Sequence, residues 1–223
     1  MPALTPTRKG KNKPAKEAIM ATASVLSLLQ RSVCALVLCW ALSASAATPK
    51  TPFYGHQFDN TITLGQQELQ LNGVGGRSVP VIFMRVFATA LYLPELSHDP
   101  ETILQMPGAK RIQIRMNYGV AGKEFKKALM RGIEKNHSPE EQAALAARTQ
   151  AFAAIIDSLG RVKSGDIINM DFVPEQGLDI SVNGKTAGQA IAGADFYAAV
   201  LRIFIGKRPA EQEMKERILG LKR

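Results

Sequence analysis

The sequence predicts a single α+β domain behind an N-terminal export leader. Strand-type segments precede and follow two long helical segments within residues 48–223, and two further helical segments close the chain. Turn signals such as Asn183-Gly184 join neighbouring strands directly, which pairs them antiparallel. Helices gathered in blocks, not alternating one-for-one with strands, give α+β architecture and not α/β.

The N-terminal segment carries much of the chain's positive charge. Met1 to Arg31 is polar and basic, with Arg8, Lys9, Lys11, Lys13, Lys16 and Arg31 against one acid, Glu17. The apolar run "SVCALVLCWALS" follows, then small residues with an Ala-x-Ala site at Ala44–Ala46 or its near-equivalent Ser45–Ala47. That order is a secretory signal peptide, with Met20 as an alternative start, and the run is short for a membrane span. The expectation is a leader over 1–47, a single domain over 48–223, periplasmic location and no stable membrane span after processing.

The full chain has 223 residues, with 28 Lys or Arg and 19 Asp or Glu. The leader holds 6 and 1 of these, which leaves 22 and 18 and a net charge of +4 in place of +9. Nucleic-acid binding thereby loses its compositional support. Cys34 and Cys39 both lie in the leader, so the domain has no disulfide, thiol nucleophile or thiolate metal site.

Thr48 to Asp59 reads as an extended lead-in bounded by Pro49 and Pro52. "TITLGQQELQLNG" reads as two strands around a turn at Gly65–Gln67, and Asn72–Gly76 as a flexible glycine turn. Val79 to Leu93 is apolar on both parities, the pattern of a strand covered on two sides and carrying a break or bulge. A short helix or turn leads to the strand "AKRIQIRMNYG", with Arg111, Gln113 and Arg115 on its exposed side. The next helix carries Phe125, Leu129 and Ile133 at four-residue spacing. Ser138, Pro139 and Glu141 start another with a capping box, and Gly160 stops it. Strands return over Asp166–Pro174 and "LDISV", with "KTAGQAI" as the strand after the Asn183-Gly184 turn. Helices in "GADFYAAVLRIFIG" and from Pro209 to Gly220 close the chain.

Few residues offer chemistry. His56, His98 and His137 stand apart and read as solvent-facing, and no metal or cofactor motif accompanies them. The basic helix face in "KEFKKALMRGIEK" is either solvated or weakly attractive to anionic headgroups and acidic ligands. Arg77, Arg85 and Thr89 remain. Arginine keeps its charge on burial, so each guanidinium needs a protein acid (Asp59, Asp171, Asp179 or Asp195) or an anionic or carbonyl-bearing ligand.

The strings "LNGVGGR…VFATALYLP" and "GDIINMDFVPEQGLDISVNGKTAGQAIAGADFYAAVLRIFIGKRP" resemble the chalcone isomerase-like family, and more narrowly its exported bacterial members, over Phe58 to Leu219. The resemblance implies an open-faced β-sandwich, in which a large curved antiparallel sheet is packed by a layer of α-helices over a ligand cleft. It also implies cofactor-free chemistry: an arginine holds a phenolate while a tyrosine and threonine polarise a ketone. The family's arginine falls on Arg77, with Gly75 and Gly76 as its turn, and a family lysine falls on Arg85. The threonine position falls on Phe87, with Thr89 nearby on the same parity. The tyrosine position falls on Phe125, with Tyr118 just before the helix, and two further polar positions become Gly132 and Ile203. Phenylalanine cannot donate to an enolate. The resemblance therefore implies a binder of a small amphipathic or acidic molecule of fatty-acid type. In that reading Arg77 anchors the head, Arg85 forms a second polar wall or pairs with Asp171 or Asp179, and Phe83, Phe87, Phe125 and Ile203 form the cleft. The alternative is a chalcone isomerase-type intramolecular lyase using Arg77, Thr89 and Tyr118.

Overall fold

The computed structural model describes residues 48–82 and 84–222. The expected leader over 1–47 and the expected ligand contact Phe83 lie outside the described residues. Thr48–Arg223 form one compact unit.

The unit opens with a hairpin of β1 (Lys50–Phe53) and β2 (His56–Asp59), not with the expected extended lead-in. Tyr54 and Gly55 turn it with φ of 50° and 84°, the pair of positive angles that matches strand twist in a two-residue turn. Strand β3 (Thr61–Leu64) turns through Gly65 into the long β4 (Gln67–Val79). The segment Asn72–Gly76 is therefore strand, not flexible turn. The chain then reverses at a single helical turn, Pro80–Ile82, before β5 (Met84–Leu93). The apolar stretch read as one strand is thus the end of one strand, a turn and a second strand. Proline at the turn has no N–H to give a ladder, and the β-branched residues after it hid the reversal.

Helix α1 (Pro100–Gln105) leads to β6 (Lys110–Met116), and the short β7 (Val120–Ala121) precedes α2 (Gly122–Asn136). Helix α3 (Pro139–Ser158) starts at the full Ser138–Glu141 capping box, and Gly160 follows it with φ 63°. Then come β8 (Arg161–Val162), which pairs with β7, and the antiparallel β9 (Ile167–Val173) and β10 (Gly177–Val182). Asn183 and Gly184 turn into β11, only Lys185–Thr186, where a longer strand was expected. Helices α4 (Ala194–Ile205) and α5 (Gln212–Ile218) close the unit.

Seven strands form one antiparallel sheet in the order β11-β10-β9-β6-β5-β4-β3. All five helices contribute to the apolar layer on one face, where Leu91, Ile112, Ile114, Ile168 and Met170 meet Phe152, Phe196 and Ile218. Eight of the twelve α4 residues are buried, so this helix is the centre of the layer. The β1–β2 hairpin covers part of the other face, over Ala88, Ala90 and Tyr92. The remainder of that face carries a polar ladder: Arg111 grips Asp171 through two hydrogen bonds of 2.5 Å, and Gln113 donates to Asn169 at 2.9 Å. Gln113 is buried, so this side of β6 is better covered than its alternation suggested. The arrangement is the expected curved sheet backed by helices.

The glycines of β4 are there for close approach. A Cβ on Gly73 would lie 2.3 Å from the Arg217 carbonyl oxygen, and one on Gly75 would lie 2.7 Å from that of Met214. Both targets belong to α5, which therefore lies directly on the strand backbone. On the opposite face, a Cβ on Gly76 would meet the Tyr54 ring at 2.7 Å. Asn72, the extra residue of a register shift, secures the same contact by donating to the Ile218 carbonyl at 2.9 Å.

Two predictions follow from this packing. Gly75→Ala forces α5 off the strand and lowers stability by about 1–3 kcal/mol, the cost of overpacking; an unchanged denaturation midpoint would contradict the contact. Lys110 is buried, donates to the Met106 and Gly108 carbonyls and lies 5.4 Å from the Phe172 ring centre. Burial lowers its pKa to about 8. Between pH 8 and the unfolded value of about 10.4, the unfolded chain holds a proton that the folded chain has released, so stability rises with pH. The Tm of Lys110→Met minus that of wild type should fall across this window, and a flat difference would refute it.

Candidate functional site

The site forms where β4, β5 and β6 meet the first half of α2. Arg77 of β4 pairs with Phe87 of β5, and Phe87 pairs with Met116 of β6. Residues opposed across antiparallel strands share a face. A guanidinium, an aromatic ring and a thioether thus form one row on the helix side of the sheet.

A bulge at Val86 shapes this row. Arg77 pairs with Phe87 but Ser78 pairs with Arg85, which leaves Val86 as an extra residue. Its carbonyl accepts hydrogen bonds from the Asn117 and Tyr118 N–H groups at 3.0 and 3.2 Å. The extra residue breaks the strand's alternation. Val86 and Phe87 both line the cleft, whereas Arg85 lies on the other side with its guanidinium 5.0 Å from the Tyr54 ring centre. Arg85 is therefore neither a cleft wall nor a partner of Asp171 or Asp179, because the bulge ends the parity it shared with Phe87.

Helix α2 forms the opposite wall. Phe125 is buried there, and Glu124, Lys127, Ala128 and Arg131 follow the adjoining stripe at i, i+3, i+4 and i+7. Val79 and Val120 complete the lining of a cleft of about 390 Å³. That volume falls within the roughly 300–1,000 Å³ of small-molecule sites. Two larger recesses, of 610 and 650 Å³, lie elsewhere: one beside the C-terminal segment, the other among loop residues around Gly65 and Gly108. Neither lies between the sheet and α2.

Arg77 is exposed at the rim and not sunk in the recess. Its candidate protein partners are engaged elsewhere. Asp59 pairs with Lys50 at 3.1 Å, Asp171 with Arg111 at 2.5 Å and Asp195 with Arg148 at 2.7 Å. Asp179 accepts from the Thr186 hydroxyl at 3.4 Å. Among the described residues no ion pair engages Arg77, Lys127, Arg131 or Glu124. The rim thus carries three cations against one carboxylate.

The chalcone isomerase-like family model matches residues 50–220 of the sequence. The chain belongs to the chalcone isomerase-like family. Its structure is similar to the crystal structure of a fatty-acid binding protein from Arabidopsis thaliana, with a TM-score of 0.59 and 15% identity over 77% of this chain and 96% of that one. At that identity the likeness concerns the fold. No curated protein sequence matches the chain.

Within this family frame, the structure brings Arg77, Phe87 and Phe125 together and separates the rest. Ile203 is buried between helices: a Cβ on Gly132 would lie 2.6 Å from its Cγ2 atom. The two positions expected to border the site are instead a close contact between α2 and α4, and Ile203 lines no part of the cleft. Tyr118 is 51% exposed and is absent from the cleft wall. Thr89 pairs with Gly75 and Ile114, one step inward from Phe87 on the same face. It is fully buried beneath the cleft lining, and its hydroxyl has no partner among the described residues. His137, expected to face solvent, is buried and its ring contacts the Ile133 carbonyl at 2.8 Å.

Lys127 and Arg131 belong to the basic helix face that the sequence marks as solvated or weakly attractive to acidic ligands, but nothing in the sequence places them or Ala128 at the cleft beside Phe125. The cost of the lone Thr89 hydroxyl is testable. Thr89→Val removes an unsatisfied buried group with little change of shape and should raise stability by about 1 kcal/mol. A loss of similar size on chemical denaturation would show that the hydroxyl is engaged.

Proposed function

We propose that the protein binds a small amphipathic molecule with an acidic head, of fatty-acid type, in the cleft between the sheet and α2. Arg77 holds the head at the rim, and Phe87, Phe125, Val86 and Met116 contact the apolar body. The observation that carries this reading is a guanidinium with no acid partner among the described residues, set at the mouth of an apolar recess. A carboxylate meets arginine through two parallel hydrogen bonds, so head and anchor match in geometry as well as charge. The fatty-acid binding protein of similar fold supports the same class of ligand. In this proposal the protein works in the periplasm, where the leader read from residues 1–47 would deliver it.

Catalysis of the isomerase type lacks its usual donors at this cleft. Phe125 carries no hydroxyl, Thr89 lies beneath the lining and Tyr118 lies outside it. An oxyanion-type donor contributes on the order of 100-fold in rate when it reaches the developing charge. None of these three side chains supplies one.

Titration with a soluble fatty acid, followed by calorimetry and native mass spectrometry, tests the proposal. Arg77→Ala should weaken binding about tenfold through loss of one charge-assisted pair. Ala128→Trp, on an exposed helix position, should block the cleft while the protein stays folded. Equal affinity in wild type and both variants would place the ligand elsewhere, and rapid cyclisation of a hydroxychalcone that depends on Arg77 would favour the enzyme.

A further inference from the structure

The rim of the cleft has a second feature that ligand binding does not use. The turn between β4 and β5 places Val81 at 89% exposure and Ile82 at 62%. They follow Val79, which lines the cleft, by two and three residues. Tyr118 is 51% exposed, and its N–H binds the carbonyl of Val86, another lining residue. Three large apolar or aromatic side chains therefore stand in water around one opening. Two further such side chains among the described residues, Leu96 and Leu221, lie toward the far end of β5, a ten-residue strand spanning roughly 30 Å.

The charges at this opening match one kind of partner. Arg77, Lys127 and Arg131 line the mouth with Glu124. An aliphatic tip beside cationic side chains, with a tyrosine at its edge, suits the boundary between anionic headgroups and acyl chains.

We propose that this rim docks reversibly on an anionic lipid surface, with Val81 and Ile82 entering the headgroup boundary and Arg77, Lys127 and Arg131 facing the headgroups. The cleft then opens toward the bilayer, so an acyl ligand enters or leaves without crossing water. The idea of transfer rests on the ligand-binding reading, whereas the docking itself does not.

Hydrogen exchange of the full chain with vesicles reads the contact locally. Peptides containing Val81 and Ile82 should exchange more slowly on phosphatidylcholine vesicles containing phosphatidylglycerol than on phosphatidylcholine alone, and high salt should remove the difference. Lys127→Ala should weaken the partition that depends on phosphatidylglycerol about fivefold, the contribution of one basic residue near an anionic surface. Val81→Asp with Ile82→Asp, both in a solvent-facing turn, should abolish the protection and slow uptake of a fatty acid from vesicles. The same double variant should bind a fatty acid offered in solution as wild type does. An unprotected turn on anionic vesicles, or equal protection in the double variant, overturns docking. If wild type binds soluble fatty acid in that case, the ligand reading stands alone. If the turn is protected but no fatty acid binds, docking survives and the ligand reading fails.

Discussion

One extra residue in β5 organises the site. Val86 has no opposite number in β4, and its carbonyl takes two N–H groups from the segment after β6. A regular strand would have kept Arg85 on the face of Phe87 and Arg77, crowding two guanidinium groups at one opening. The bulge instead sends Arg85 to the ring of Tyr54 and adds Val86 to the cleft lining. A single cation from the sheet is left beside an apolar recess. The hairpin β1–β2 shares in this outcome, because Tyr54 both receives Arg85 and packs on Gly76.

Close backbone contacts supply the rigidity behind the cleft. Helix α5 lies on Gly73 and Gly75, and α2 meets α4 through Gly132 and Ile203. Each contact leaves no room for a side chain on one partner, so the helix layer is held at fixed height over the sheet. Gly132 and Ile203, at two positions that the family resemblance marks as polar, close a helix–helix seam outside the cleft lining.

Much of this architecture is legible in the sequence where local chemistry is strong. Ser138 and Glu141 announce a helix start, Asn183-Gly184 a two-residue turn, and the spacing of Phe125, Leu129 and Ile133 the buried face of α2. The family resemblance adds the curved antiparallel sheet backed by helices and the general place of the site. The region that matters most is harder to read. Val79 to Leu93 is apolar on both parities, which allows a break or bulge but leaves no periodic mark of where the reversal at Pro80–Ile82 or the bulge at Val86 falls. A bulge is an event of hydrogen-bond register, and no residue type at Val86 demands it. The β4 glycines are similarly ambiguous: flexibility and close approach call for the same residue, and only the position of α5 decides between them. Sequence parity and family position place Arg85 and Ile203 at the cleft because neither registers these tertiary contacts.

Charge completes the account. Asp59, Asp171 and Asp195 form ion pairs with Lys50, Arg111 and Arg148, and Asp179 accepts from Thr186. Arg77 is thereby left facing the opening with Lys127 and Arg131 across from it. The most direct test is a crystal structure with a fatty acid brominated at its terminal carbon, whose anomalous signal marks the end of the chain. The account requires bromine near Met116 and Phe125 with the carboxylate at Arg77. Bromine in any other recess, or a carboxylate remote from Arg77 with the cleft unfilled, would contradict it.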